Sequence, residues 1–142
     1  MVEHIQVEQE LLAILLRTSF RADGIKFFTP NDFSQQLAYM NHPQHYSIPP
    51  HVHNPVLREV NFTKEVLFVK SGKVRVDFYL NSKAYCFSKV LNPGDVILLA
   101  NGGHGFVMLE PSELIEVKQG PYTGELDKTR FSEVLPAHIK II

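Results

Sequence analysis

The chain has 142 residues, 44% of them hydrophobic, which predicts one folded domain with one buried core over residues 1–142. Lys and Arg number 14 against 15 Asp and Glu, and no basic run is present, so we expect neither nucleic acid nor a membrane surface as a partner. Cys86 is the only cysteine, which excludes an intrachain disulfide.

The first predicted element is an amphipathic helix over residues 2–17. Its apolar residues lie among Glu and Gln at roughly helical spacing. Acidic residues at Glu3, Glu8 and Glu10 do not suit a secretory signal, and the apolar run 11–16 is too short to span a bilayer. We therefore expect a cytoplasmic protein.

A short strand and a second helix are predicted next. Residues 25–29 read as the strand, and Thr29-Pro30 followed by Asn31-Asp32 predicts a helix N-cap and first turn, with the helix continuing to about Met40. Residues 1–44 would thus form a lead-in of short N-terminal helices and one strand before the main β region.

From His45 the pattern changes to short stretches of Val, Ile, Phe and Tyr, separated by Pro, Gly and Asn. This alternation of short apolar stretches and turn residues predicts an all-β antiparallel sandwich or barrel over residues 45–119. The tight turn at Ser71-Gly72 predicts a hairpin between residues 66–70 and 74–79. Further strands are predicted over residues 84–91, 96–100, 106–109 and 114–118. Residues 120–142 are expected to form a wrapping tail or a dimer contact.

Two histidines two residues apart, His51 and His53, predict a metal site. In a β-strand, residues i and i+2 share a face, so one strand would present both imidazoles to one ion. Glu65 begins the next predicted strand and His104 lies at the start of another, so both reach the same interior point if the sheet closes on itself. Three imidazoles and a carboxylate suit Fe, Mn, Ni, Cu or Zn, and residue type alone does not choose among these metals. Glu59 is a competing carboxylate.

These residues resemble the two sequence motifs of the cupin superfamily. His51-x-His53 with Glu65, which six residues separate from Gly72, resembles the first motif. Pro93-Gly94-Asp95 followed by Gly102-Gly103-His104 resembles the second. The resemblance covers residues 46–118 and implies an antiparallel double-stranded β-helix, a jelly-roll barrel, in which His51, His53, Glu65 and His104 bind one divalent metal. Eleven residues separate His53 from Glu65, so we expect a longer loop or an extra strand turn there.

The resemblance implies a small metalloenzyme, of oxygenase or isomerase type, that acts on an organic acid, a sugar or a sugar nucleotide. Glu59, Tyr46 and His45 are candidates for acid or base catalysis near the site. Two alternatives stay open: a ligand-binding or sensing module without turnover, and a metal-independent sugar isomerase or epimerase in which a histidine acts as general base. Cupin barrels often pair, so a homodimer is expected.

Overall fold

The computed structural model describes all 142 residues, Met1–Ile142, as a mostly β protein. It contains two short 3-10 helices, at Gly124–Asp127 and Pro136–His138, and no α-helix. The ten strands are β1 (Val2–Val7), β2 (Glu10–Leu16), β3 (Gly24–Phe27), β4 (Ala38–Asn41), β5 (Glu65–Ser71), β6 (Val74–Tyr79), β7 (Tyr85–Leu91), β8 (Val96–Leu99), β9 (Gly103–Met108) and β10 (Glu113–Lys118). The chain forms two compact units, the first made of Met1–Phe20 with Phe62–Ile142 and the second of Arg21–Asn61.

The first unit contains a five-stranded and a three-stranded antiparallel sheet. The larger sheet has the order β1-β2-β8-β5-β10 and the smaller one β7-β6-β9. Their facing side chains form one hydrophobic core, to which Leu15, Leu67 and Ile97 contribute from the larger sheet and Val76 and Phe78 from the smaller one. The predicted antiparallel β region is therefore confirmed from Glu65 to Lys118, whereas residues 45–64 contain no strand. Neither sheet closes on itself into a barrel.

The predicted hairpin at Ser71-Gly72 is wrong. β5 belongs to the five-stranded sheet and β6 to the three-stranded sheet, so this turn carries the chain across the core. Gly72 has φ +83°, and a Cβ there would collide with Ser112 and with the carbonyl oxygen of Pro111. The turn glycine is required, but periodicity alone did not reveal that the next strand joins a different sheet.

The predicted helix over residues 2–17 is also wrong, because this segment forms the antiparallel pair β1 and β2. The uninterrupted apolar run in β2 pairs with β8, and Ala13, Ile14 and Leu15 have no solvent-exposed surface. A short continuous apolar run suits a strand covered on both faces as well as it suits a buried helix. A turn with Glu8 at φ 57° joins the two strands.

The second unit holds the antiparallel pair β3 and β4, so the predicted short strand is confirmed and the predicted second helix is wrong. Gln36 organises the connection instead: its side-chain amide donates to the carbonyl oxygens of Pro30 and Phe33, at 2.9 and 2.8 Å. The hydroxyl of Thr29 accepts the Leu37 N–H at 3.2 Å and donates to Gln36 at 2.6 Å. Thr29, the predicted helix N-cap, thus forms side-chain hydrogen bonds, but these bonds close a loop and do not begin a helix.

The C-terminal residues pair with the outer edge of β7. The Ser88 N–H donates to the Lys140 carbonyl oxygen at 2.6 Å, and the Ile142 N–H donates to the Ser88 carbonyl oxygen at 3.1 Å. The Tyr85 hydroxyl accepts the Lys140 N–H at 2.8 Å. The tail therefore wraps the three-stranded sheet of its own chain.

None of the helical segments has the length and apolar character needed to cross a membrane.

Candidate functional site

Glu65 and His104 meet at one end of the core in the first unit. Glu65 is the first residue of β5 and His104 the second residue of β9, so the two side chains come from opposite sheets. The Nε2 atom of His104 lies 3.1 Å from Oε2 of Glu65, a hydrogen bond between two partly buried side chains that are 29% and 12% exposed. The structure thus brings together two of the four predicted ligands.

The surroundings keep Glu65 ionised. The hydrogen bond with His104 lowers the pKa of Glu65, and the positive charges of Lys118 and Lys128 add to this effect, while burial opposes it. Lys118 lies opposite Glu65 in the pairing of β10 with β5, with its Nζ atom 4.0 Å from Oε1. A carboxylate with a lowered pKa carries its full negative charge at neutral pH, where it attracts a cation or a hydrogen-bond donor.

The pair lies in an open cleft of about 880 Å³, which is large enough for a small metabolite. The aromatic side chains of Phe62, Phe106 and Phe131 supply apolar wall surface. Residues 101–105 supply a turn and the start of β9, where three glycines leave backbone groups accessible. The cleft therefore combines aromatic surface, exposed backbone and one ionised carboxylate beside an imidazole.

The geometry of the pair fits two neighbouring ligands of one metal ion. Two donor atoms that each lie about 2.1 Å from an ion, at an angle of about 90–109°, are about 3.0–3.4 Å apart. The 3.1 Å between His104 Nε2 and Glu65 Oε2 falls in this interval. No group of three or more His, Cys, Asp and Glu side chains lies close enough together to hold a metal ion.

His51 and His53 belong to the second unit, in an exposed segment without regular secondary structure. The prediction that a β-strand presents them is therefore wrong, and Pro49, Pro50 and Pro55 explain it because proline removes the N–H groups that a strand needs. The two rings still approach each other, with centroids 5.2 Å apart. The Nδ1 atom of His51 lies 3.0 Å from the Pro49 carbonyl oxygen, which leaves Nε2 as the atom that can bind a ligand.

The three candidates for acid or base catalysis also lie in the second unit. Glu59 is exposed and forms no ion pair. Tyr46 stacks on His42, with ring centroids 3.9 Å apart and an angle of 2° between the planes. His45 has φ 69°, the left-handed conformation of a turn residue. Their catalytic roles stay predictions.

Sequence reasoning missed the contributions of Lys118 and Phe131. Lys118 lies opposite Glu65 in the pairing of β10 with β5, which turns it toward the candidate site. The alternation of side chains in β10 places Lys118 on the same face as Glu65 once β5 is known to be its partner strand. Phe131 comes from a stretch rich in charged residues, Pro and Gly that has no periodicity, so its place in the cleft wall had no sequence signal.

Comparison with known proteins gives no relative from which a role could be transferred. No family model, no curated protein and no solved structure matches this chain. The resemblance to cupins therefore depends on the motif residues alone and stays a prediction.

Proposed function

We propose that the chain is a metal-binding protein of the cupin type, a small metalloenzyme that acts on a small polar metabolite in the cleft at Glu65 and His104. The observation that carries this proposal is the 3.1 Å approach of an ionised carboxylate to an imidazole nitrogen inside an open cleft. A jelly-roll arrangement of the two antiparallel sheets and a transition-metal cofactor (Fe, Mn, Ni, Cu or Zn) are part of the same proposal. The sequence motif adds His51 and His53 to the proposed ligand set.

Glu65 and His104 would hold the ion, since a carboxylate oxygen and an imidazole nitrogen are ordinary ligands of these metals. When bound, a divalent ion supplies a Lewis acid that polarises an oxygen of the metabolite or activates a water molecule. Glu65 offsets part of the ion's charge, and its contact with His104 orients the imidazole before the ion binds. The aromatic wall of the cleft would position the apolar parts of the metabolite.

Metal titration with a matched carboxylate control tests this proposal. We expect Glu65→Gln to weaken the binding of Co²⁺ or Zn²⁺ by about 100-fold, because an amide oxygen is a poor replacement for a charged ligand. Glu133→Gln should leave the affinity unchanged, since Glu133 is an exposed carboxylate of the same cleft that forms no ion pair. Equal affinities in the wild type and in Glu65→Gln would contradict the site.

The double variant His51→Ala with His53→Ala tests the other two proposed ligands separately. We expect it to lose metal measured by inductively coupled plasma mass spectrometry. Full retention of metal in this variant, together with its loss in Glu65→Gln, would remove His51 and His53 from the ligand set and leave the Glu65–His104 site in place.

One observation favours a second candidate, the metal-independent isomerase. The hydrogen bond to Glu65 fixes the His104 ring and leaves its Nδ1 atom for a bound molecule, which is how a carboxylate orients a catalytic imidazole. Turnover that survives complete removal of metal by a chelator would favour this candidate. Ligand binding without turnover under both conditions would favour a sensing module.

A further inference from the structure

Residues 120–133, which we name the cleft strap, are weakly attached to the rest of the first unit. The last backbone hydrogen bond before the strap joins the Gln119 N–H to the Lys64 carbonyl oxygen at 3.0 Å, and no backbone hydrogen bond links the strap itself to either sheet. Every residue of the strap is exposed except Gly124, which is half-buried. Few buried contacts and a solvated backbone are the features of segments that open locally at low free-energy cost.

Side-chain contacts hold the strap and its end in place. The Thr63 hydroxyl donates to Asp127, and the Val134 N–H donates to the Tyr79 hydroxyl at 3.1 Å. The ring of Phe131 packs edge-on against Tyr79, with centroids 5.0 Å apart and an angle of 85° between the planes.

Phe131 also closes over Gly103, the residue next to His104. A Cβ at Gly103 would lie 2.9 Å from Cζ of Phe131, so the aromatic ring occupies the space that a side chain would need. Residues 127–133 line the same cleft as Glu65 and His104. The strap is therefore one wall of the candidate site, and the contact of Phe131 with Tyr79 and Gly103 is the main apolar contact that holds it.

We propose that the cleft strap is a movable wall, and that Phe131 determines which molecules reach Glu65 and His104 by holding the strap against Tyr79 and Gly103. The assignment of a ligand to this cleft depends on the proposed function, whereas the opening of the strap is independent of it. Gly124, with φ +65° and nothing within 4 Å of a Cβ, gives the strap a point where the backbone can turn without steric hindrance.

The modification of His104 by diethyl pyrocarbonate, followed by peptide mass spectrometry, measures how often the strap opens. We expect Phe131→Ala to raise the rate at His104 by about three- to tenfold, the factor that corresponds to the loss of one aromatic pair. Leu126→Ala is the matched control, because Leu126 belongs to the same strap and is 94% exposed, so its rate at His104 should equal that of the wild type.

Tyr79→Phe is a second variant that keeps the buried ring and removes only the hydroxyl that accepts the Val134 N–H. We expect a smaller increase at His104, with faster hydrogen exchange confined to residues 120–134. The exposed residues His4 and His138 serve as internal references. An unchanged rate at His104 in both variants would overturn the proposal, as would an equal increase at all three histidines, which would indicate a change in the whole fold.

This measurement needs neither metal nor ligand. Its outcome is therefore independent of the metal titration, and a rigid strap can be distinguished from a cleft that binds no metal.

Discussion

The carboxylate of Glu65 links the stability of the fold to pH. Because the pKa of Glu65 is lowered in the folded state, chiefly by the hydrogen bond with His104, its contribution is present above the unfolded pKa of about 4.3 and is lost as the pH falls through the lower folded pKa. We expect Glu65→Gln to reduce the free energy of unfolding at pH 7 by about 1 kcal/mol, and this difference to shrink below about pH 4. Urea unfolding of the wild type and of Glu65→Gln between pH 3 and about 7 measures this difference in unfolding free energy. A difference that does not change with pH would contradict the stabilising role of the Glu65 carboxylate.

Asp95 is a buried carboxylate with a structural role. It is 1% exposed and accepts hydrogen bonds from the Arg17 guanidinium, the Thr18 N–H and the Asn92 N–H, at 3.0, 2.8 and 3.0 Å. Asp95→Ala removes the side-chain acceptor of the Thr18 and Asn92 N–H groups and one of the acceptors of Arg17, so we expect the free energy of unfolding to fall by about 3 kcal/mol. Glu116→Ala, at an exposed carboxylate, should change it by less than about 0.5 kcal/mol, and similar values for the two variants would refute the prediction.

At the scale of elements, Gly72 is the point where the chain crosses from one sheet to the other. Gly72→Ala meets both a positive φ and a collision with Ser112, whose Cα atom would lie 2.7 Å from the new Cβ. Gly24→Ala meets a positive φ of +70° but open space. We expect a loss of about 1–2 kcal/mol in unfolding free energy for Gly24→Ala and about twice that or more for Gly72→Ala. Thermal unfolding of the two variants gives the comparison, and equal losses would show that the turn can move away from Ser112.

Strand positions could be predicted from the sequence where a short alternating or apolar stretch lies between turn residues. The start of β5 at Glu65 and the position of His104 near the start of β9 follow from such local patterns, and the structure has both. Sheet membership could not be predicted, because β2 also pairs with β8 and β6 with β9, strands that are remote in sequence and that a local pattern does not identify. The same limitation applies to the apolar run in β2, which without its partner β8 fits a buried helix as well as a strand.

At the scale of the whole molecule, the candidate site depends on contacts between strands that are distant in sequence. The pair of Glu65 with His104 was predicted from a motif, and the structure brings these two side chains together. The cleft wall around Phe131 has no pattern that a motif could detect. His51 and His53 lie outside regular structure, so the sequence motif is the support for their part in the site.

The expected homodimer stays a proposal that one measurement decides. The tail residues named above for a dimer contact bond to β7 of their own chain. Static light scattering at micromolar concentration should give twice the chain mass of 16.2 kDa. A mass equal to that of one chain would contradict the proposal.

The most direct test of the proposed metal site is anomalous scattering, recorded across several metal absorption edges from crystals of protein purified without added metal. The proposal predicts one anomalous peak within about 2.0–2.3 Å of both the Glu65 carboxylate and His104 Nε2. The absorption edge across which this peak appears identifies the metal. A metal peak that lies only at another place in the molecule would contradict the proposal. So would the absence of any peak beside Glu65 and His104 after the protein has been incubated with each candidate metal.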